Sequence, residues 1–380
     1  MSFFKKPYDI VFYYPQHFNR SENGTNPFFD PLISICEINK LNYLVLEEPD
    51  SKTSCPRNKK AFKFDFWFYI IIALRKIIPG LFFTTDDGRE EFIGKIIAVL
   101  SLNLFNAKCY VTISNSMINV LLGFNKKSKV YDLQHGIIYS WHWGYFNQNG
   151  QLNNYLLNER IGFLVNGIGF KDVFYKNNPF LKLQKEPKVS VIGYLELKSD
   201  KIPAPKKNIV VYTLQLTSDL NENELRKEKN NLKFFLKSVE SLFIYNDLQL
   251  FLKLHPRFNN AINLSEILEL YPFVKFTDDT IENLIKNTIL HITQSSTSIF
   301  EFALANIPTY LISNTVGNKI FLEEYKYPSE NLEIEDVIFL YNTKNQEYLE
   351  FCLKVKKWAL EYYEPFNENA VIHLIQHDKN

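Results

Sequence analysis

Two α/β domains, each built on a parallel sheet, are the fold that the sequence predicts, and two observations predict it. Short runs rich in β-branched and aromatic residues alternate with helix-like segments along most of the 380 residues. The alternation stops near Leu197 and restarts at Ile209. The residues between, 198–207, are polar and charged and carry two prolines, as in an exposed linker. We expect an N-terminal domain over residues 1–200 and a C-terminal domain over residues 201–380, whose last helix can pack back onto the first domain.

The first domain opens with a strand at residues 8–14, because Tyr-Asp-Ile-Val-Phe-Tyr-Tyr is rich in β-forming residues. A helix that ends near residue 41 leads to the next strand. An aromatic face indicates a helix at residues 63–78, and another helix is predicted at residues 95–104. Further strands are predicted at residues 42–46, 108–113, 129–133, 162–165 and 189–192.

The second domain repeats this order. Strands are predicted at residues 209–214, 249–254, near 274, 289–292 and 309–312, and helices at 223–244, 264–270 and 298–305. Two α/β halves of similar size are typical of two facing Rossmann-like domains. Ligands of such sheets bind outside the carboxyl ends of the strands. We therefore expect the chemistry in the cleft between the two domains.

Composition excludes several classes of protein. The 43 basic and 42 acidic side chains give a formal charge of +1, which argues against binding nucleic acid by bulk electrostatics. The four cysteines lie far apart, so neither a disulfide framework nor a zinc finger is predicted. The N-terminus lacks the order of a signal peptide, and the longest apolar run, residues 66–74, is shorter than the ~20 residues of a spanning helix. We expect a cytoplasmic protein.

A His-Pro-Arg motif, His255-Pro256-Arg257, follows the strand predicted at residues 249–254. The proline disfavours a helix at the histidine, so the imidazole is held at the mouth of the strand, where it can donate to a phosphate oxygen. The guanidinium of Arg257 adds a planar fork suited to phosphate. A surface turn with a solvated histidine is the alternative.

Hydroxyl-bearing residues occupy five of the six positions 293–298, at a predicted helix start. Ser295, Ser296 and Thr297 offer side-chain donors beside unsatisfied backbone N–H groups and the positive end of the helix dipole, which together favour an anion. Glu301 follows one turn later, where its carboxylate can accept from ribose hydroxyls. Simple N-capping would use the same cluster, but the His-Pro motif upstream in the same domain favours ligand binding.

A histidine-containing loop, Gln134-His135-Gly136, ends the strand at residues 129–133, and Gly136 allows backbone or ligand to approach closely. His142 lies in the same loop among aromatic residues. We favour a general base or a substrate-positioning histidine. A metal pair would lack a nearby third ligand, and a structural histidine packed among aromatic rings is the remaining alternative.

Two adjacent acids, Asp86 and Asp87, precede Gly88. Crowding of like charges can raise the pKa of one of them toward the range useful for proton abstraction. Asp-Asp-Gly is also a common turn. Both interpretations stay open.

Several familiar motifs are missing from the sequence. It has no Gly-rich phosphate loop followed by Gly-Lys-Ser/Thr, no G-x-G-x-x-G fingerprint and no G-x-S-x-G elbow. The common ATPase, dehydrogenase and hydrolase interpretations are therefore disfavoured. It also has no Asp-x-Asp motif of the kind found in many metal-dependent sugar transferases, so we expect no metal and no cofactor.

The ordered set Asp86-Asp87-Gly88, His255-Pro256 and Ser295-Ser296-Thr297 resembles the three short motifs of bacterial sialyltransferases and polysialyltransferases, which have the two-domain GT-B fold. The resemblance, shared with Kdo transferases of surface polysaccharide synthesis, implies that Asp86 is the general base and that His255 meets the phosphate or leaving group. It also implies that the Ser/Thr motif binds cytidine monophosphate. The Gln-His-Gly loop looks more like the glycerophosphotransferases of capsule and teichoic-acid synthesis, whose histidine is the proposed base, and this makes His135 an alternative.

The resemblance implies a cytoplasmic glycosyltransferase that moves a sugar from a nucleotide-activated donor to a hydroxyl of a bacterial surface glycan, with inversion and without a metal. A CMP-sialic acid or Kdo-type donor is the first expectation, and a UDP- or GDP-sugar the second. Capsule or lipopolysaccharide synthesis would be the pathway. Two alternatives remain: a nucleotide-sugar 2-epimerase, and a non-catalytic binding protein of polysaccharide assembly. The expected residues are catalytic Asp86, Asp87 and His135; donor-binding His255, Pro256, Arg257, Ser295, Ser296, Thr297 and Glu301; and acceptor-positioning Gln134, Gly136 and His142.

Basic residues flank the aromatic-rich segment 62–74: Lys59, Lys60, Lys63, Arg75 and Lys76. Such a segment can lie on an anionic membrane surface, near lipid-linked acceptors. A helix buried in the core explains the same pattern and is the interpretation we favour.

Overall fold

A computed structural model describes residues 6–15, 24–49, 56–178, 188–194, 208–217, 220–255, 263–312, 315–329 and 332–377. The chain divides into two compact units. Unit 1 comprises Met1–Leu197 together with Glu364–Asn380, and unit 2 comprises Lys198–Tyr363. The predicted linker at residues 198–207 lies outside the described residues.

Unit 1 is a seven-stranded, all-parallel sheet in the order β3-β2-β1-β4-β5-β6-β7. Its central strands β1, β4 and β5 are buried over nearly their whole length, as expected where helices cover both faces of a parallel sheet. Its elements are β1 Tyr8–Tyr14, α1 Asp30–Ile38, β2 Tyr43–Glu47, β3 Phe62–Lys63, α2 Asp65–Ile77, a 3₁₀ turn Gly80–Phe82, α3 Asp86–Leu100, β4 Ala107–Ile113, α4 Ile118–Phe124, β5 Lys129–Leu133, a 3₁₀ turn Asn154–Leu156, β6 Ile161–Val165, α5 Ile168–Asn177 and β7 Val189–Val191.

Unit 2 is a five-stranded parallel sheet in the order β10-β9-β8-β11-β12. Its longest helix, α6, begins with a capping box between Asn221 and Glu224. Its elements are β8 Ile209–Thr213, α6 Glu222–Tyr245, β9 Gln249–Lys253, α7 Ser265–Leu270, β10 Val274–Thr277, α8 Ile281–Ile285, β11 Thr288–Thr293, α9 Ser298–Leu304, β12 Thr309–Leu311, a π-helix Asn318–Glu324, α10 Ile334–Thr343 and α11 Asn345–Tyr362.

The C-terminal helix α12, Glu368–His377, belongs to unit 1. Its Val371 and Ile375 are buried in the core cluster formed by β1, α1 and β4. The chain reaches this position by pairing Tyr194 with Pro365. Gly193 makes the approach possible: its φ is +82°, and a Cβ there would lie 2.6 Å from the Cα of Phe366.

All five strands of unit 2 end in a single register row. Thr277, Lys253, Thr213, Thr293 and Leu311 are the last residues of β10, β9, β8, β11 and β12, and each pairs with its neighbour in that order. The loops that follow therefore leave the sheet from one straight edge. This edge is where an open parallel sheet binds its ligands.

The α/β class and the parallel sheets predicted from the sequence are confirmed, and the bounded strands agree to within one residue at either end. The helix predicted at residues 95–104 is wrong at both ends. It begins at Asp86, because the Thr85 hydroxyl accepts the N–H of Gly88 at 3.1 Å and caps it. It ends at Leu100, because Leu102 and Asn103 have positive φ.

The expectation that the segment around residues 63–78 is a buried core helix is also wrong. Ile71 is the one residue of α2 whose side chain is buried. Phe66, Tyr69 and Ile77 are 66%, 59% and 72% exposed. Within the described residues, no helix is both long and apolar enough to cross a bilayer.

Candidate functional site

The Ser/Thr loop of unit 2, residues 294–297, leaves β11 and leads into α9. The Thr293 hydroxyl accepts the N–H of Ser296 at 3.0 Å, and the Ser296 hydroxyl accepts the N–H of Ser298 at 3.3 Å. Ser295 is half-buried. Thr297, the residue before the helix, is exposed, and its side chain makes no capping hydrogen bond. Simple N-capping therefore does not explain the hydroxyl at position 297.

A buried histidine that the sequence analysis missed, His291, lies beneath this loop. Its Nε2 is 2.9 Å from the Thr213 hydroxyl and 3.3 Å from the Ser298 hydroxyl, and its Nδ1 is 2.9 Å from the Thr309 hydroxyl. The Ser298 hydroxyl donates in turn to that of Ser296 at 2.8 Å. A chain of hydrogen bonds thus runs from β12 through the imidazole to the Ser/Thr loop.

Burial fixes the charge state of His291. The ring is 0% exposed and stacks on Phe302 with a centroid separation of 4.1 Å. Burial lowers the pKa of His291 to about 3, because an imidazolium there would lack solvation. The neutral ring thus holds Thr213, Thr309 and Ser298 beneath the Ser/Thr loop by hydrogen bonds. The sequence did contain a hint of this residue, because a histidine inside the apolar run Ile-Leu-His-Ile is unusual. A polar side chain in a buried strand needs hydrogen-bond partners.

The Ser/Thr loop is also held from two other sides. The side-chain amide of Gln294 donates to Glu228 of α6 at 2.7 Å. The carbonyl oxygen of Gln294 accepts the Thr315 hydroxyl at 3.0 Å. A Cβ at Gly317 would overlap that same carbonyl oxygen, so only glycine fits there. Glu301 lies in the first turn of α9 and is half-buried.

His255 follows β9 by two residues, just as Ser295 follows β11 by two. Lys253 and Thr293, the last residues of these strands, lie in the same register row on either side of Thr213. Their separation is two strand spacings, about 10 Å. Because both strands end in this row, His255 follows the same edge of the sheet as the Ser/Thr loop. His255 is half-buried. The predicted donor residues Pro256 and Arg257 lie outside the described residues.

In unit 1, Asp86 and Asp87 lie in the first helical turn of α3. They do not form the β-turn that Asp-Asp-Gly also allowed. The Asp86 side chain is 81% exposed and lies 3.2 Å from the guanidinium of Arg89. Asp87 is half-buried, and its Oδ1 accepts the side-chain amide of Asn119 at 3.0 Å. Burial raises the pKa of Asp87, and the carboxylates of Asp86 and Glu90 raise it further. Of the two acids, Asp87 therefore has the environment of a proton acceptor.

The side chain of Gln134 is a brace for its loop. It is 3% exposed. Its amide nitrogen donates to the carbonyl oxygen of Gly136 at 2.7 Å, and its amide oxygen accepts the N–H of Asn166 at 2.8 Å. A Cβ at Gly136 would have no atom within 4 Å. The glycine therefore faces open space, where a ligand can approach the backbone.

The two histidines of this loop have different surroundings. His135 is half-buried, and its Nδ1 is shielded from solvent. The ring of His142 lies 5.1 Å from both Tyr139 and Tyr145, and its Nδ1 accepts the N–H of Gly144 at 3.2 Å. Burial lowers the pKa of His142. His142 thus has the contacts of a neutral histidine packed among aromatic rings, which was the structural alternative.

Asp132, near the end of β5, is a second residue that sequence reasoning missed. It is 1% exposed. Its Oδ1 accepts the N–H of Asn115 at 2.7 Å and its Oδ2 accepts the hydroxyl of Tyr145 at 2.8 Å. Burial raises the pKa of Asp132 to about 7, although both hydrogen bonds act to lower it. The sequence contained a hint of this residue too, because an aspartate inside the apolar run Val-Tyr-Asp-Leu is unusual.

Tyr155 lies within electrostatic range of both Asp132 and Asp87. Its hydroxyl donates to the carbonyl oxygen of Gly144 at 2.8 Å, which also accepts the side-chain amide of Asn115 at 2.9 Å. Burial raises the pKa of Tyr155, and the charges of Asp132 and Asp87 raise it as well. The structure thus brings Asp87, which the sequence singled out, into the same electrostatic neighbourhood as the His142 loop and Asp132.

The loop between β4 and α4 carries unusual backbone geometry at this place. Ser114, Asn115 and Met117 have φ values of +57°, +54° and +53°, a region that non-glycine residues rarely adopt. Such strain persists where the surrounding contacts determine the conformation, here the bond from Asn115 to Asp132. No group of three or more metal-ligating side chains occurs in the part of the chain that the structure describes.

Comparison with known proteins identifies structures with a similar fold but no protein family to which the chain can be assigned. No family model matches the chain, and a sequence comparison with curated proteins finds no significant match. Solved structures do match. The UDP-GlcNAc 2-epimerase of Neisseria meningitidis, solved with bound UDP-GlcNAc, has a TM-score of 0.56 at 12% identity, over 97% of this chain and 99% of its own.

A polymerase structure and a glycosyltransferase structure match with somewhat lower TM-scores. A variant of the wall teichoic acid polymerase TagF has a TM-score of 0.54 at 14% identity, over 98% of this chain and 88% of its own. The glycosyltransferase SnogD of Streptomyces nogalater has a TM-score of 0.51 at 11% identity, over 96% of this chain and 98% of its own. The chain has a GT-B-like fold. Its structural neighbours are enzymes, both epimerases and transferases.

Proposed function

We propose that this protein is a metal-independent glycosyltransferase that moves a sugar from a nucleotide-activated donor to a hydroxyl of a bacterial surface glycan. The observation that carries the proposal is the edge of unit 2, where His255 and the Ser/Thr loop leave one register row and a buried imidazole holds the loop. Oriented hydroxyls and N–H groups around a phosphate are what a nucleotide donor requires.

The proposal assigns donor binding to unit 2. His255 and the hydroxyls of Ser295, Ser296 and Thr297 would stabilise the negative charge on the departing phosphate, and Glu301 would accept from the ribose. Pro256 and Arg257 are included on the sequence motif alone. A CMP-sugar of the sialic acid or Kdo type remains the first proposal for the donor. A UDP- or GDP-sugar is the second, and the bound UDP-GlcNAc of the Neisseria epimerase strengthens the case for uridine.

The proposal assigns the base to Asp87 of unit 1, in the role that the resemblance gave to Asp86. A base needs a pKa raised toward the working pH and contact with the acceptor hydroxyl. Burial and neighbouring carboxylates raise the pKa of Asp87, whereas Asp86 is exposed and paired with Arg89. His135, at the loop whose glycine faces open space, is the competing base. Removal of the acceptor proton as the nucleotide leaves would give direct displacement with inversion.

A matched pair of variants tests the base. Asp87→Asn should reduce the transfer rate by about 10²–10⁴-fold, while Asp86→Asn, on the same turn, should retain most of it. Each rate is to be measured with purified enzyme, a labelled nucleotide sugar and a hydroxyl acceptor. If His135→Ala loses this factor and Asp87→Asn does not, the base belongs to the histidine loop instead.

Nucleotide binding tests the donor site before any acceptor is known. A thermal-shift screen of CMP, UDP and GDP should raise the melting temperature with one of the three, because a ligand that binds the native state stabilises it. His255→Ala and Ser296→Ala should each remove that shift without changing the melting temperature of the free protein by a comparable amount. Failure of all three nucleotides to stabilise the wild type would contradict the proposed donor class.

A nucleotide-sugar 2-epimerase is the second candidate, and the match to the Neisseria epimerase over nearly both whole chains favours it. The two activities differ in their need for an acceptor. An epimerase converts or releases the sugar of UDP-GlcNAc when no acceptor is present, and nuclear magnetic resonance of that reaction would detect it. Nucleotide binding without turnover in either assay would instead favour the non-catalytic binding protein.

The proposal also includes the place of action. A glycan or lipid-linked glycan as acceptor would put the protein in the cytoplasm, with peripheral contact at the inner face of the cytoplasmic membrane. Capsule or lipopolysaccharide synthesis is the pathway type that fits such an acceptor. No nucleic-acid partner is proposed, because the formal charge of the chain is only +1.

A further inference from the structure

Large apolar side chains are exposed on each of three consecutive elements of unit 1: α2, the 3₁₀ turn Gly80–Phe82 and α3. We call this surface the apolar face and define it by Phe66, Tyr69, Ile77, Leu81, Phe82 and Phe92. Along α2, the exposed positions 66, 69, 73 and 77 follow one another at three- and four-residue steps, so they form one stripe of the helix. Leu81 and Phe82 are 87% and 75% exposed.

The apolar face differs from an ordinary protein surface. Exposed apolar residues are normally scattered singly. Here α2 reads Asp-Phe-Trp-Phe-Tyr-Ile-Ile-Ile-Ala-Leu-Arg-Lys-Ile and buries only Ile71, and the following turn buries no side chain. A helix that is apolar on all sides is normally covered on all sides. The exposed side of α2 is thus uncovered within the part of the chain that the structure describes.

Charge indicates which kind of partner the apolar face fits. Residues 59–82 carry five basic side chains against one acidic side chain, a net +4, in a chain whose total is +1. The single acid, Asp65, is held at 2.7 Å by Arg57. Lys59, Lys63 and Lys76 are exposed. Positive charge is thus concentrated around the exposed apolar side chains, while the rest of the chain is net negative.

The acids of the neighbouring helix α3 cancel one of these five positive charges, that of Arg75, and Glu37 pairs with a second, Lys60. Asp86 pairs with Arg89, and Glu91 with Lys95 and Arg160. Glu90 binds Arg75 through two oxygens, with contacts between 2.6 and 3.0 Å. Asp87 is half-buried. The side of the apolar face that α3 contributes is therefore close to neutral, and the lysines of α2 and its N-terminal flank dominate the field.

We propose that the apolar face binds an anionic lipid bilayer, with the side chains of the 3₁₀ turn among the acyl chains and the lysines beside the lipid phosphates. Exposed aromatic and aliphatic side chains flanked by lysine are the composition of interfacial membrane-binding segments. Lysine is depleted from protein interfaces, so a protein partner fits this surface less well. This inference assigns a surface to the peripheral membrane contact of the proposed function, and its test uses no sugar transfer, so it can fail or succeed independently of the transferase assay.

Flotation of the full chain with vesicles tests the proposal. Wild type should float with vesicles of phosphatidylcholine and phosphatidylglycerol, and less with phosphatidylcholine alone. Added salt should weaken the binding because it screens the lysines. The double variant Leu81→Ser with Phe82→Ser should lower the partition by at least about tenfold, since both apolar groups that insert are lost. Replacing Lys59, Lys63 and Lys76 by Gln should remove the preference for phosphatidylglycerol.

A matched control comes from unit 2. Phe234 of α6 is 78% exposed, and Phe234→Ser should float as the wild type does. Circular dichroism of each variant checks that the fold is retained, which is expected because the substituted side chains are exposed. Equal flotation of the wild type and the Leu81/Phe82 variant would overturn the proposal. So would a concentration-dependent dimer that the same variant dissociates, because a second copy of the chain would then be the covering.

Discussion

Replacing Asp132 by asparagine should change the way in which the stability of unit 1 depends on pH. Burial raises the pKa of this carboxyl from 3.8 to about 7 in the native state. Between these values the unfolded chain has released the proton and the native protein still holds it. The native state then binds more protons than the unfolded state, so stability falls as the pH rises through this window. Below pH 3.8 and above pH 7 the contribution is constant.

The size of the effect follows from the shift. Each pKa unit corresponds to about 1.4 kcal/mol, so a shift of roughly three units corresponds to about 4 kcal/mol of stability lost between acid and neutral pH. The asparagine side chain of the variant would not titrate. Its carbonyl oxygen can still accept the N–H of Asn115, and its amide can donate to the hydroxyl of Tyr145. The free energy of unfolding of the variant, taken relative to that of the wild type, should therefore rise by about 4 kcal/mol as the pH is raised from 4 to 8.

Hydrogen exchange of the amides of β4 and β5 is the appropriate measurement, because a chain with two compact units need not unfold in one step. The quantity of interest is the difference in protection between variant and wild type at each pH. A difference that stays flat from pH 4 to pH 8 would refute the reasoning, since the carboxyl would then ionise in the native state as it does in water.

Asp9 of β1 supplies a control of opposite sign. Burial acts to raise its pKa, but hydrogen bonds from Lys108 and from the N–H of Asn42, with the charge of Lys108, lower it below 3.8. A carboxyl with a lowered pKa contributes stability that is present above its unfolded pKa and is lost as the pH falls through the folded pKa. Asp9→Asn should therefore destabilise unit 1 by a constant amount from pH 5 to pH 8. For Asp9→Asn, stability relative to wild type should therefore show none of the pH dependence that we expect for Asp132→Asn.

Three further substitutions test the packing and the loop. Gly94→Ala should destabilise unit 1 by about 1–3 kcal/mol in urea unfolding, because the new Cβ would overlap the carbonyl oxygen of Val120 and lie 2.9 Å from the Cα of Gly123 on the facing helix. His291→Phe should cost about 1–3 kcal/mol, because the Thr309 hydroxyl loses the imidazole as its hydrogen-bond partner, and it should weaken nucleotide binding in calorimetry. Gly317→Ala should also weaken that binding, by displacing the Gln294 carbonyl, with little effect on the far end of the sheet.

The strands could be predicted because each is a short, continuous run of β-forming residues between polar segments, and burial on both faces keeps such runs apolar. The position of the Ser/Thr loop could be predicted for the same reason, since it follows directly on one of these runs. The start of α3 was missed because Asp-Asp-Gly reads locally as a turn. The cap from Thr85 at the first turn stabilises the helical conformation there.

The residues missed inside strands depend on contacts that are distant in the sequence. His291 binds Thr213, 78 residues away, and Asp132 binds Asn115 of another strand loop. A local pattern identifies such a polar residue as unusual but does not name its partner. The exposure of α2 was missed for a related reason: a helix that is apolar on all sides has no periodicity to indicate which side faces solvent.

Among the described residues of unit 1, Asp132 and Asp87 have carboxyls with raised pKa values, and their surroundings differ. Both oxygens of Asp132 accept hydrogen bonds within the protein, and the residue is 1% exposed, so it cannot contact an acceptor hydroxyl. Asp87 is half-buried in the first turn of α3. If Asp87 is the base, the rate should fall as the pH drops through its pKa, because the protonated acid cannot accept a second proton. In kcat/KM measured against pH, Asp132→Asn should keep this acidic limb and Asp87→Asn should lose it; the reverse result would make Asp132 the titrating group.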